Sequence, residues 1–246
     1  MKVRIYKRGT VIRNTMFFMF MSVIYLHVVK SLENNVSAFK LIDFTNPLSA
    51  QSICLFAFLI ILPAIALVRP ASRTLSAFFL GAVIIYGQFQ FFERFDKGIL
   101  ILNLLYILSV FYFYILWHLE LKQALYGPMF THHDLGLKSP YRLKTILEVS
   151  GKELNGYLTN WDQHSCFLVL DDPTQAHFLR NSTFNLKFML DGKTFSQSGV
   201  VVSEYGGSAY GIAFRDSKLD DKIFYKWSDF YTIICDRGYI PNYMGT

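Results

Sequence analysis

The sequence predicts a membrane-embedded bundle of four α-helices, followed by a small antiparallel β-barrel that ends in one helix. Two observations carry this fold class. The residues before Trp117–His118 form four long apolar runs, whereas the residues after it alternate apolar and polar over short stretches. At 52% hydrophobic and 17% charged residues, the chain is also more apolar than an ordinary soluble domain. We therefore expect residues 1–118 to form a transmembrane region.

Each apolar run is long enough to cross a bilayer, since a spanning helix needs about 20 mostly apolar residues. The predicted spans are residues 11–29, 48–68, 74–92 and 98–117. Pro63 lies inside the second run and is tolerated there, because neighbouring helices can satisfy the carbonyl group that it frees. The lipid bilayer is therefore an expected partner of this region.

Basic residues predict the orientation of these spans. The connection between the first and second spans is mixed in charge. The connection between the second and third spans, Arg69–Arg73, is purely basic. Five basic residues precede or begin the first span: Lys2, Arg4, Lys7, Arg8 and Arg13. The positive-inside rule then places both termini in the cytoplasm of a multi-pass inner-membrane protein. This cluster also accounts for much of the net charge of +6, so nucleic acid is not an expected partner.

The cysteines agree with a reducing compartment, because Cys54, Cys166 and Cys235 show no paired spacing. A cleaved signal peptide is the alternative for the first span, with Val36–Ala38 as a cleavage site. The charged residues Lys30 and Glu33 interrupt the approach to that site, which favours a retained span.

Residues 119–137 are polar and are predicted to form a linker to a domain at residues 138–240. Period-two alternation there predicts six or so short strands. The strand candidates are residues 143–149, 154–160, 166–170, 184–190, 193–197, 199–203 and 210–215. Asp191-Gly192 is a typical hairpin turn. Apolar residues at three/four spacing predict an amphipathic helix over Asp220–Cys235.

The segments Gly199–Val202 and Tyr210–Asp216 look like paired strands that close on a G-[VI]-x-F signature. With the strand order, they give residues 138–240 a layout that resembles the PilZ domain, a receptor fold for cyclic di-GMP. Two ligand motifs of that family, RxxxR and [DN]xSxxG, correspond in position to Lys138–Arg142 and Asn160–Ser165.

The resemblance implies a cyclic di-GMP site made of Lys138, Arg142, Asn160, Asp162 and Ser165. Arginine can fork onto a phosphate or a guanine edge, and short polar groups can reach the other guanine edge. Three residues depart from the motifs. Lys138 replaces an arginine fork by a point charge, Asp162 adds a negative charge in place of serine, and Ser165 adds a Cβ in place of glycine.

The implied function is that of an inner-membrane receptor that relays cyclic di-GMP binding to a membrane protein partner. We expect no catalysis, cofactor or metal, because the sequence contains no nucleophile–His–acid grouping, P-loop or dinucleotide fingerprint. The pair His132-His133 lacks further ligands nearby. Two alternatives remain. The barrel could be a degenerate adaptor that binds proteins and no nucleotide, or the chain could be a non-catalytic subunit of a membrane enzyme or export complex.

Overall fold

The computed structural model describes residues 3–39, 49–127, 143–149, 152–172, 183–215 and 225–236. It divides the chain into two compact units. One unit is Arg8–Leu121, and the other combines Met1–Lys7 with Lys122–Thr246.

The described residues of the first unit form four helices: α1 (Thr10–Glu33), α2 (Ala50–Ala66), α3 (Ala71–Arg94) and α4 (Lys97–Leu121). Helices α1, α3 and α4 have 24, 24 and 25 residues and are long and apolar enough to span a membrane. Helix α2 has only 17 residues, beginning after the N-cap Ser49. At 1.5 Å per residue it is about 25 Å long, somewhat less than a hydrocarbon core of about 30 Å. The fourth span therefore stays a prediction.

Polar contacts and stacked rings hold the interior of the helical unit together. The Tyr25 hydroxyl donates to Asn103 Oδ1 at 2.5 Å, and Asn103 Nδ2 donates to the Gly87 carbonyl at 2.8 Å. The rings of Tyr25 and Tyr106 stack with centroids 3.9 Å apart. The outer faces instead expose large apolar side chains, Phe78 being 74% exposed. Such faces are stable next to lipid and unfavourable in water.

The second unit contains the predicted antiparallel barrel, which is confirmed. Six strands follow one another around it in the order β6-β5-β2-β3-β4-β7, and β6 pairs with β7 to close the ring. The strands are β2 (Leu143–Val149), β3 (Lys152–Trp161), β4 (Ser165–Leu170), β5 (Thr183–Leu190), β6 (Lys193–Tyr205) and β7 (Ala209–Phe214).

The hairpin between β5 and β6 turns at Asp191-Gly192, as predicted. Both residues have positive φ, 52° and 75°, which is the backbone of a tight hairpin turn. The two predicted strands 193–197 and 199–203 form the single strand β6, so the prediction of a break between them was wrong. Its first half pairs with β5 and its second half with β7, and the two registers overlap at Gly199 and Val200.

The confirmed C-terminal helix α5 (Trp227–Asp236) closes one end of the barrel. Phe230 is fully buried there, with its ring 4.7 Å from the ring of Phe188. The helix begins later than Asp220, because Tyr225 is extended and bridges Phe195. The Tyr225 N–H donates to Thr194, and its carbonyl accepts from Ser196, so both backbone groups are used as in a strand. Residues 216–224 lie outside the described residues.

A strand that the sequence pattern did not predict, β1 (Val3–Ile5), extends the sheet at its β6 edge. It pairs antiparallel with Ser203–Tyr205, beyond the point where β5 has ended. The next residue, Tyr6, donates through its backbone N–H to the Val202 carbonyl at 2.8 Å and through its hydroxyl to Glu204. The N-terminal end of the chain is thus part of the barrel unit.

Candidate ligand site and the linker bound to it

The structure brings three of the five predicted ligand residues together at one end of the barrel. Asn160 is near the end of β3, Asp162 is in the turn that follows, and Ser165 begins β4. The other two, Lys138 and Arg142, lie outside the described residues.

Asp162 organises the turn between β3 and β4. Its Oδ1 accepts from the His164 N–H at 2.7 Å, and its Oδ2 accepts from the Ser165 hydroxyl at 2.5 Å. Its own N–H donates to the Ser165 carbonyl at 2.9 Å. These contacts form an Asx-type turn, in which a short carboxylate replaces backbone partners. The Trp227 indole N–H donates to the Asp162 carbonyl at 3.0 Å, which ties the turn to α5.

The same residues bind the segment that continues from α4. We call Lys122–Gly127 the linker segment. The Ala124 N–H donates to Asp162 Oδ2 at 2.9 Å, and Asn160 Nδ2 donates to the Gly127 carbonyl at 2.5 Å. A third contact joins the Ser203 hydroxyl to the Leu125 carbonyl. The linker segment is therefore bound to the outer face of the barrel at three points.

Two of the three hydrogen bonds to the linker segment, and its close approach to Gly211, lie on one row of paired residues across four strands. Asn160 pairs with Phe167, Phe167 with Gly211, and Gly211 with Ser203. We call these four residues the docking row. A Cβ on Gly211 would overlap the Leu125 carbonyl oxygen, so a glycine is needed at this point of closest approach.

Two β-bulges turn the polar members of the docking row outward. On β3 the register shifts between Leu158 and Asn160, so Asn160 does not share the inward face of Leu158 as strict alternation would require. On β6 the shift between Val201 and Ser203 has the same effect on Ser203. Both inward residues, Leu158 and Val201, belong to the barrel core. Each bulge thus supplies one hydrogen-bond donor to the linker segment.

The middle of the linker segment and two residues of the site beneath it are buried. Asn160 is 5% exposed and Ser165 is 2% exposed, while Ala124 of the linker segment is fully buried. Burial also raises the pKa of the neighbouring Cys166 thiol well above its usual value, with a smaller contribution from the negative charge of Asp162. Asn160 and Ser165 are therefore covered by the chain itself.

Sequence reasoning identified Asn160, Asp162 and Ser165 but missed Ser203 and the backbone of Ala124–Gly127. Gly211 was part of the quoted signature, although its contact with the linker segment was not foreseen. Among the described residues, no group of three His, Cys, Asp or Glu side chains could hold a metal ion.

No protein-family model matches the chain, and no curated protein matches it either. The class of this protein is thus defined by its structure. It combines a closed six-stranded antiparallel barrel and a short C-terminal helix with helices of which three are long and apolar enough to span a membrane.

Proposed function

We propose that this chain is a membrane-anchored receptor for cyclic di-GMP, with a PilZ-like barrel in the cytoplasm that relays nucleotide binding to a membrane protein partner. The carrying observation is the gathering of Asn160, Asp162 and Ser165 at one barrel end, where the chain arriving from α4 is bound. That arrangement links a candidate nucleotide site to the membrane region through six residues of chain.

The chemistry of these groups suits a guanine edge. An amide such as Asn160 can donate to O6 or N7, and a carboxylate such as Asp162 can accept from N1 and N2. Phosphates require cations, for which Lys138 and Arg142 are the candidates in this proposal. The negative charge of Asp162 opposes phosphate binding nearby, so we expect weak binding.

The pairing of β1 with β6 supports the proposed topology. Because β1 precedes α1 and β6 follows α4, the N-terminal end and the barrel must share one side of any membrane between them. An even number of crossings is then required, and three helices meet the length criterion. The proposal therefore takes helix α2 as the fourth span, aided by flanking residues or a locally thin bilayer.

Reporter fusions after Arg69 test this topology. With α2 as a span, fusions after Arg69 and at Thr246 report the cytoplasm, and a fusion at Asn35 reports the outside. An outside signal after Arg69 would mean that α2 does not cross the membrane. An outside signal at Thr246 would mean that the barrel is not in the cytoplasm, where cyclic di-GMP is made, and would contradict the receptor proposal.

The second candidate function is an adaptor that binds a protein and no nucleotide. The observation that favours it is that Asn160, Asp162 and Ser165 already have partners within the chain. On this alternative the second motif has become a binding site for the linker segment alone.

Calorimetric titration of the full-length protein in detergent with cyclic di-GMP separates the two candidates. For a receptor, wild type binds weakly and Arg142→Ala removes most of the binding, since a charge-assisted contact contributes about 1.5–3 kcal/mol. Lys144→Ala is the matched control, a nearby cation on β2 that should leave binding unchanged. Loss of binding in Lys144→Ala alone would mean that the first ligand motif lies further along the chain than Lys138–Arg142. No heat of binding in any protein would favour the adaptor.

A further inference from the structure

We infer that the linker segment is an internal competitor for the nucleotide, so that cyclic di-GMP binding at Asn160 and Asp162 releases Lys122–Gly127 from the barrel. This inference rests on the proposed function and adds the way in which the site is regulated.

The linker segment offers the site the same pattern of groups as a guanine. Its Ala124 N–H donates to the Asp162 carboxylate, where guanine N1–H or N2–H would donate. Its Gly127 carbonyl accepts from the Asn160 amide, where guanine O6 would accept. Donor and acceptor are thus supplied by the chain in the roles that the base edge would take.

Burial makes the two occupants mutually exclusive. With Asn160 only 5% exposed, a purine ring cannot lie in the plane of its amide while Gly127 remains in contact. A nucleotide therefore reaches this group only after the linker segment has left. The apparent affinity then equals the intrinsic affinity multiplied by the fraction of molecules with the linker segment undocked.

Release of the linker segment would reach the membrane region through the chain itself. Helix α4 ends at Leu121, and Lys122 is the next residue, so docking fixes the chain immediately after the helix. Ligand binding and linker docking are linked reciprocally: whatever holds the linker segment in place weakens nucleotide binding by the same factor. A membrane partner that pulls on α4 would, by that linkage, change the affinity for the nucleotide.

Two substitutions release the linker segment without touching a predicted ligand residue. Gly211→Ala places a Cβ against the Leu125 carbonyl, and Ser203→Ala removes the hydroxyl that donates to it while adding no atom. Gly81→Ala in α3 is the matched control, because a Cβ there meets nothing within 4 Å.

The experiment combines hydrogen exchange with calorimetry on the full-length protein in detergent. Saturating cyclic di-GMP should raise the exchange rate of the Ala124 amide, since that amide loses its acceptor. Gly211→Ala and Ser203→Ala should bind the nucleotide more tightly, by about tenfold if about a tenth of wild-type molecules are undocked, and Gly81→Ala should match wild type.

The outcomes separate the inference from the function on which it rests. Nucleotide binding with an unchanged Ala124 exchange rate, and with wild-type affinity in both variants, would contradict the proposed competition. The proposed receptor function would still hold in that case. Binding that appears only in Gly211→Ala and Ser203→Ala would support the competition, with the linker segment outcompeting the ligand in wild type. No binding in wild type or in either variant would overturn the receptor itself.

Discussion

The carboxylate of Asp162 accepts a hydrogen bond from the backbone N–H of Ala124 at 2.9 Å, which binds the chain arriving from α4 to the turn between β3 and β4. The two residues are 38 positions apart in sequence. The same carboxylate also accepts from the His164 N–H and the Ser165 hydroxyl within the turn. The shape of the turn and its binding of the linker segment therefore depend on one side chain. A residue predicted as a ligand contact thus has a structural task as well.

Asp162→Ser should therefore lower stability and tighten cyclic di-GMP binding. The substitution removes the acceptor for Ala124 and His164, which we expect to lower the free energy of unfolding by about 1–3 kcal/mol. It also loses the carboxylate acceptor for the guanine edge, but we expect this loss to be outweighed because the site is freed from the linker segment and a negative charge near the phosphates is removed. Denaturant unfolding and calorimetry measure the two effects. Gln163→Ser, at the exposed neighbouring position, is the control and should change stability by less than about 0.5 kcal/mol. Weaker binding by Asp162→Ser would show that the lost guanine contact outweighs the release of the linker segment and of the negative charge.

Phe230→Ala should destabilise the barrel strongly. Phe230 is fully buried and its ring lies 4.8 Å from that of Trp227 and 5.7 Å from that of Phe195. Loss of such a ring leaves a cavity and is expected to lower the free energy of unfolding by about 3–5 kcal/mol. Thr232→Ala, on the exposed face of the same helix, should have an effect of less than about 0.5 kcal/mol. Equal effects of the two variants would mean that α5 does not close the core.

Asn103→Ala should loosen the helical unit. It removes the acceptor of the Tyr25 hydroxyl and the donor to the Gly87 carbonyl. These two hydrogen bonds connect α4 to α1 and to α3. Interhelical hydrogen bonds of this kind contribute about 0.6–2 kcal/mol. The thermal midpoint of the detergent-solubilised protein measures the loss. Ser109→Ala is the matched control, since the half-buried Ser109 donates to the Leu105 carbonyl within its own helix. A larger loss in Ser109→Ala than in Asn103→Ala would contradict the packing described.

Cys166 should make barrel stability fall in alkaline solution. Burial raises the pKa of its thiol in the folded state well above the ordinary value of 9.0. Above that ordinary value the unfolded chain loses the proton while the folded chain keeps it, so the contribution to stability declines as pH rises. We expect a loss of about 1 kcal/mol by pH 10 relative to pH 7.5. Comparison with Cys166→Ala, which lacks the titrating group, isolates this effect from other ionisations. A pH-independent difference between the two proteins would show that Cys166 is accessible to solvent.

The sequence predicted those parts of the fold that repeat. Apolar and polar residues alternate along β2 and β5, and the structure buries one set and leaves the other more exposed. The residue types Asp191-Gly192 predicted the hairpin turn between β5 and β6. The predicted break within β6 was wrong, because the strand changes partners at Gly199 and Val200 without interruption.

The features that pattern reasoning missed depend on contacts between distant residues. Strict alternation puts Asn160 on the same face as Leu158, and only the bulge between them turns it outward. Strand β1 has three residues, too few to show a period, and is formed by pairing with a strand about 200 residues later. The linker segment binds through its backbone, which carries no signal of residue type.

Equilibrium dialysis of labelled cyclic di-GMP against the wild-type full-length protein in nanodiscs tests the receptor proposal most directly. We predict saturable binding that excess unlabelled cyclic di-GMP displaces and excess GTP does not, because the proposed site joins guanine-edge groups to cations for two phosphates. Retention that never saturates, or that GTP displaces equally well, would contradict the proposal that this chain is a cyclic di-GMP receptor.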